Sequence, residues 1–166
     1  YGLELSTSYN NGPFSAYANA AWERAMGMHI ITSEFNFSPD DLAYIQNHYI
    51  YLDHDQTWTG SAGAAYKWGE TRFSGDLVYG SGLRASKTLA SGLVIPNGAG
   101  LPNYIQVNAS VSHHFAKLPF GPFDVRLDAI NLFDKQYQIR NGTGVGVGAP
   151  QFGARQGFFV GVRKEL

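Results

Sequence analysis

Thr57-Trp58-Thr59-Gly60-Ser61-Ala62-Gly63-Ala64-Ala65-Tyr66-Lys67-Trp68 is the stretch whose reading decides the fold. Its even positions are Trp58, Gly60, Ala62, Ala64, Tyr66 and Trp68; its odd positions are Thr57, Thr59, Ser61, Gly63, Ala65 and Lys67. Successive side chains of a strand point to opposite faces, so one face is apolar with aromatics at both ends and the other is polar or very small. Amphipathic rings settle at the headgroup level of a bilayer. An apolar band closed by rings at both ends is therefore the pattern of a strand that spans a membrane.

The same alternation recurs on either side. It predicts seven strands: Gly2 to Asn10, Phe14 to Met28, Thr57 to Trp68, Thr71 to Leu83, Tyr104 to Phe115, Phe123 to Leu132 and Arg155 to Leu166. The connections run short, long, short, long, short, long. Asn10-Asn11-Gly12-Pro13 and Gly69-Glu70 read as tight turns, with Asn and Gly supplying positive φ. Short turns on one side and long loops on the other are the arrangement of bacterial outer-membrane barrels. The expected fold is all-β: an antiparallel up-and-down transmembrane β-barrel. Seven is odd, and the first strand has no partner for its outer edge, so the barrel is expected to be incomplete. The chain opens already alternating, at Tyr1-Gly2-Leu3-Glu4, which reads as a piece of a longer exported protein. A soluble β-sandwich adhesin or binding module also alternates. It gives no reason, however, for connections to sort by end, or for Glu4, Asp76, Asp124, Arg126 and Asp128 to lie deep in the strands.

Composition supports this reading. The 166 residues carry no Cys, which excludes a disulfide framework and thiolate metal sites. Net charge is −1, which argues against a nucleic-acid partner. Mean hydropathy is −0.20, and no apolar run approaches the length of a membrane helix. A barrel still spans, since only every second residue faces lipid.

Two C-terminal motifs carry a family resemblance. Asn131-Leu132-Phe133-Asp134-Lys135-Gln136-Tyr137 resembles the Asn-Leu-Phe-Asp-Lys-x-Tyr element that follows the penultimate strand of TonB-dependent outer-membrane receptors. Gly153-Ala154-Arg155-Gln156-Gly157-Phe158-Phe159-Val160-Gly161 resembles the start of that family's closing strand. Leu101 to Phe115 and Asp53 to Tyr66 are similar to earlier stretches of it. The resemblance implies that residues 1–166 are the C-terminal part of the barrel domain, about the last seven strands of 22. It also implies an N-terminal plug and earlier strands outside this chain, and coupling to the inner-membrane TonB complex through the plug. The location implied is the bacterial outer membrane. The cargo implied is a scarce nutrient, most often a ferric siderophore or related metal chelate, imported without bond breaking. A passive porin is the alternative within the membrane class. Family members end on an alternating apolar signal read by the barrel-assembly machinery. Here Phe158, Val160, Val162 and Leu166 match it, and Lys164 interrupts it.

No catalytic constellation is visible, and no cofactor is expected. Gly80-Ser81-Gly82 lacks the nucleophile-elbow spacing. The glycines at 142, 144, 146 and 148 have the wrong spacing for a dinucleotide fingerprint and read as a surface loop. Asp53-His54-Asp55 has metal-binding residue types, but three adjacent residues cannot all point inward, so a solvated loop end and no metal is expected. His113 and His114 fall on opposite strand faces. The first long segment holds His29, Phe35, Phe37, Tyr44, His48, Tyr49 and Tyr51, aromatics that bind a ligand or fold the loop on itself. Tyr44, His48 and Tyr49 are the loop candidates for substrate binding. Arg84 and Lys87 in the second long segment, and Arg140 in the third, are the cations an anionic ferric chelate would need. Lumen charges such as Glu4, Asp76, Arg126 and Asp128 are expected to pair across strands or to meet the plug rather than to touch substrate. Arg introduced at Ala64 or Val107 is expected to be costly, and at Ser61 or Asn108 tolerated.

Overall fold

The computed structural model describes residues 1–30, 38–119, 121–143 and 148–164. In chain order the elements are β1 (Gly2–Asn11), β2 (Phe14–Glu23), β3 (Met26–Gly27), α1 (Pro39–Ile45), β4 (Ile50–Tyr51), β5 (Trp58–Trp68) and β6 (Thr71–Gly80). They continue with β7 (Arg84–Thr88), β8 (Val94–Gly100), β9 (Tyr104–Phe115), β10 (Phe123–Ile130), β11 (Gln138–Asn141), β12 (Pro150–Phe152) and β13 (Gly157–Lys164).

Seven of these form one antiparallel meander, in the order β1-β2-β5-β6-β9-β10-β13. They are the seven strands expected from the alternation. The remaining strands pair locally inside the long segments: β3 with β4, β7 with β8, β11 with β12. The large sheet is open. β1 and β13 are its edges, each bonded on one side only, so no closed barrel exists among the described residues.

Register joins the apolar faces of all seven strands. Leu5 pairs with Ala20, Ala20 with Gly60, Gly60 with Tyr79, and Tyr79 with Ile105. Further along, Val111 pairs with Leu127 and Leu127 with Val160. A one-residue slip anywhere would send a whole strand's apolar set to the wrong face. Rings collect at both ends of this face. Tyr1, Trp22 and Trp58 line the long-loop end, with successive centroids 5.7 and 6.5 Å apart. Tyr9 and Phe14, and Phe115 and Phe123, line the short-turn end.

The first turn is tighter than expected, and the second is the Gly69-Glu70 turn read from the sequence. Asn11 pairs with Phe14 and Trp68 with Thr71, leaving two-residue turns at Gly12-Pro13 and Gly69-Glu70. Gly12 and Gly69 take φ of 55° and 58°, at the first central position, as in a type II′ turn that suits the twist of a hairpin. Asn10 and Asn11 keep ordinary backbone, so glycine alone supplies the left-handed residue.

Strand ends fall short of the alternation. β2 stops at Glu23 rather than Met28, because Ala25 is captured by Asp55 and Met26–Gly27 pairs with Ile50–Tyr51. β6 stops at Gly80 rather than Leu83. β10 stops at Ile130 rather than Leu132, where Asn131 turns the chain with φ 49°. β13 starts at Gly157 rather than Arg155, and Leu166 lies outside the described residues.

Among the described residues no second sheet or helix packs across the large sheet; the helix and small sheets pack on one another, and Tyr137 lies against the polar face at Tyr104 and Gln106. The two-layer sandwich weighed from the sequence is therefore not the arrangement here. Ile45, Ile50, Ala85, Pro96 and Leu101, buried residues of this chain, all sit in the long segments, whereas the sheet contributes Ala65.

Candidate functional site

The three long segments meet at one end of the sheet and form a cap. Ser38 caps α1: its Oγ accepts from the Asp41 N–H at 3.2 Å, and the Asp41 carboxylate accepts from the Ser38 N–H at 3.0 Å. This short helix delivers Ile45 onto Ile50, with Ile30 and Tyr44 beside them. Asn97 of β8, 1% exposed, donates to the Tyr51 carbonyl at 3.0 Å and so ties the second segment to the first.

Asp53-His54-Asp55 is the hub of the cap, and the expectation of a solvated loop end is overturned. The Asp55 side chain is fully buried and accepts from the Ala25 N–H at 2.6 Å and from Arg84 Nε at 2.8 Å. Arg84 also donates to Thr57 Oγ1 at 3.0 Å, and its guanidinium lies 3.7 Å from the centroid of the Tyr51 ring. Asp53 is nearly buried and takes Arg140 Nη1 at 2.7 Å. Arg140 Nη2 donates to His54 Nε2 at 3.1 Å, while the His54 ring points into solvent. Adjacent carboxylates thus point to different loops, each holding an arginine from a distant part of the chain. The Ser86 N–H to Thr143 Oγ1 bond, 3.0 Å, joins the second and third segments directly. Burial of a charge is tolerated when the partner and the remaining lone pairs are satisfied, which is the situation of Asp55.

The candidates drawn from the sequence therefore separate. Arg84 and Arg140 are committed to Asp55 and Asp53. Lys87 stays exposed on β7, away from them. Tyr44 is half-buried and stacked on His48, with centroids 4.2 Å apart and planes 12° apart; His48 Nδ1 lies 2.9 Å from the Tyr44 carbonyl. Tyr49 is exposed. Tyr44 with His48 is the loop-on-loop packing kept open above. Phe35 and Phe37 lie outside the described residues, as do residues 144–147 of the glycine-rich segment. Among the described residues no cluster of His, Asp and Glu has the make-up of a metal site.

The two family-like motifs form a single clasp, which sequence reading left as separate signatures. Asn131, 1% exposed, donates to the carbonyls of Lys135 and Ala154 at 3.0 and 2.8 Å and accepts from the Lys135 N–H at 2.9 Å. Its own N–H reaches Asn108 Oδ1 on β9 at 3.0 Å. Asp134 takes a two-pronged contact from Arg155, with Nε at 2.6 Å, and the Gln156 N–H at 3.1 Å. These donors, Arg155 first, hold the Asp134 carboxyl down to about 2. Tyr137 stacks on Tyr104 at 4.3 Å and donates to Gln106 Oε1 at 3.0 Å. A Cβ at Gly153 would fall on the Tyr137 ring, so only glycine fits. Asn131, Asp134, Tyr137 and Arg155 thus fasten the approach of β13 to β9 and β10.

On the polar face the expected pairing across strands is present only in part. Asn108 Nδ2 donates to Asp76 at 2.7 Å, His114 meets Asp124 at 2.8 Å, and Arg126 holds Asp128 two residues along its own strand. Comparison with protein-family models and with curated proteins found no match.

Proposed function

We propose that this chain is the C-terminal portion of the barrel of a TonB-dependent outer-membrane receptor, a non-enzymatic importer of a scarce nutrient. The observation that carries the reading is the seven-strand register. It gathers one mainly apolar face between two rows of rings, with Thr71, His113 and Lys164 at its short-turn end, opposite a face that carries the other charges, amides and hydroxyls. Trp58 to Trp68 spans about 34 Å at ~3.4 Å per residue. At a barrel tilt of ~40–45° that is about 25 Å, the height of the apolar band of such proteins. In this reading the apolar face meets outer-membrane lipid, the polar face lines the lumen, and the cap is extracellular. The TonB complex and the plug act through parts of the protein outside residues 1–166. Phe158, Val160, Val162 and Leu166 carry the alternating signal read by the barrel-assembly machinery.

The cap bears on where an anionic nutrient would find its cations. The expectation of a ferric siderophore leaned on Arg84, Lys87 and Arg140. With Arg84 and Arg140 neutralised by Asp55 and Asp53, an anionic chelate finds Lys87 alone of the three. Such a cargo must draw its cations from the remainder of the barrel or the plug.

Fractionation of cells producing the full-length gene product tests the reading. It predicts outer-membrane localisation, a heat-modifiable band on gels, and an upstream plug segment in the open frame. A detergent-independent soluble product would overturn it, and an outer-membrane barrel without a plug would replace it by a porin.

A further inference from the structure

The apolar face carries a lone cation. Among the described residues Lys164 is the single lysine, arginine or carboxylate on that face of the seven strands, and His113 its single histidine. Both lie at the short-turn end. Thr71 stands opposite His113, His113 opposite Val125, and Val125 opposite Val162; Lys164 follows two residues on, opposite Phe123. His113 Nδ1 and Thr71 Oγ1 are 2.8 Å apart. A neutral ring that accepts there keeps its proton on Nε2, a donor left over for an outside acceptor. Phe115 meets His113 edge-on at 4.4 Å and stacks on Phe123 at 4.9 Å. Rings in contact thus lead from His113 to the residue that faces Lys164.

A hollow opens on the same face toward the middle of the sheet. Its volume is about 530 Å³, and Phe73, Ala109, Val111, Leu127, Ala129 and Phe158 line it. Ala109 stands opposite Ala129, and Ala129 opposite Phe158, so two methyl groups make a floor beside the bulkier Val111 and Leu127. Val160 lies in the row of Leu127, and the four residues from there to Lys164 cover about 14 Å. One set of strands therefore holds an apolar trough with a cation at its end. That is the outline of a single amphiphile, a chain with a charged head. A lysine at the edge of an apolar band keeps its charge by reaching the headgroups. No carboxylate shares this face among the described residues, so nothing on it receives the ammonium of a zwitterionic head. The charge balance favours a head that is net anionic.

We infer that this strip binds one anionic glycerophospholipid, its phosphodiester on Lys164 and His113 Nε2 and an acyl chain in the hollow between Phe73 and Phe158. The inference rests on the importer reading, which turns this face to lipid and the short-turn end to the periplasmic leaflet. Lys164 then breaks the alternation of the closing strand for the sake of a ligand. Full-length protein is reconstituted in bilayers of equal phosphatidylglycerol and phosphatidylethanolamine, with a trace of one or the other carrying a diazirine midway along an acyl chain. Photolabelled peptides are read by mass spectrometry. Residues 109–111 and 127–129 should favour phosphatidylglycerol about five-fold, the worth of one lysine near an anionic headgroup, and residues 62–64 on β5 should show no preference. Lys164→Gln should abolish the preference, and Arg163→Gln, on the opposite face, should keep it. The same ratio at the hollow and on β5 overturns the site, as does a preference that survives Lys164→Gln or is lost equally in Arg163→Gln; the importer reading then stands. If Lys164→Gln does not assemble, the wild-type ratio between the hollow and β5 decides alone. Labelling of this face by neither lipid overturns both the site and the importer reading.

Discussion

On the sheet, Leu3, Leu5, Val160 and Val162 are 69–74% exposed; in the cap above it, Ile45 and Ile50 are 1–2% exposed. The cap folds as proteins in water do, with apolar side chains packed inward and its buried carboxylates each answered by an arginine. The sheet leaves its apolar side chains outside. Each fully buried aliphatic side chain contributes about 1.5–3 kcal/mol, so the sheet forgoes its main source of stability unless another medium covers that face. On the importer reading, the contrast marks a change of solvent at the Trp22–Trp58 end of the strands. Two regions built for different solvents should also fail separately.

The largest expected effect is in the cap. Arg84→Ala leaves the Asp55 carboxylate buried and unpaired, a loss of about 3–5 kcal/mol. Hydrogen exchange should show the Ala25 amide losing protection while amides at Ala62 and Val107 keep theirs. Equal loss in both regions would mean that cap and sheet are one cooperative unit.

Next in size is the lipid face. Ala64→Arg is expected to cost about 2–4 kcal/mol in a bilayer folding titration of the full-length protein, and Ser61→Arg no more than about 1 kcal/mol, the worth of the single bond its Oγ accepts from Asn19. Asn108 is no longer a suitable control, because its side chain accepts from Gln106 and from the Asn131 N–H and donates to Asp76. Matching costs at Ala64 and Ser61 would sink the facing assignment.

A smaller effect is expected at the clasp. Tyr137→Phe removes the bond to Gln106 but keeps the stacking on Tyr104. About 0.5–1.5 kcal/mol should be lost, read as faster exchange at the Leu132 and Gly153 amides. No change there would show that stacking alone holds the clasp.

The smallest effect is one of pH. Asp134 has a folded pKa of about 2, below its ordinary value of 3.8. Its contribution is therefore present above the unfolded value and lost as pH falls through the folded one. The Arg155 contact should persist at pH 3, followed by the carboxyl carbon shift of Asp134, and dissolve as pH drops through about 2. A midpoint near 4 would mean that Arg155 is not engaged in solution.

Strand number, order and the residues that share a face were legible because alternation is local and every residue of a strand repeats the message. Ends were not, because the pattern runs on past the point where a distant side chain pulls the chain away: Ala25 leaves with Asp55, 30 residues on. The cap was least legible. Asp53 and Asp55 looked like a solvated bend because their arginines stand 87 and 29 residues away in other loops. Those same arginines, read alone, looked like ligand cations. Ser38-Pro39-Asp40-Asp41 did carry a helix-start signal for α1, in its Ser three residues before an acid. Nothing local announced that Asn131 and Arg155 belong to one joint.

Solvent accessibility along β5 tests the central claim most directly. Residues 1–166 contain no Cys, so single cysteines at positions 59 to 67 accept spin labels without interference from this chain. In the full-length protein reconstituted in a bilayer, oxygen accessibility should peak at positions 60, 62, 64 and 66. Accessibility to a water-soluble nickel complex should peak at 59, 61, 63 and 65, with a period of two throughout. Equal aqueous accessibility on both faces would contradict the account.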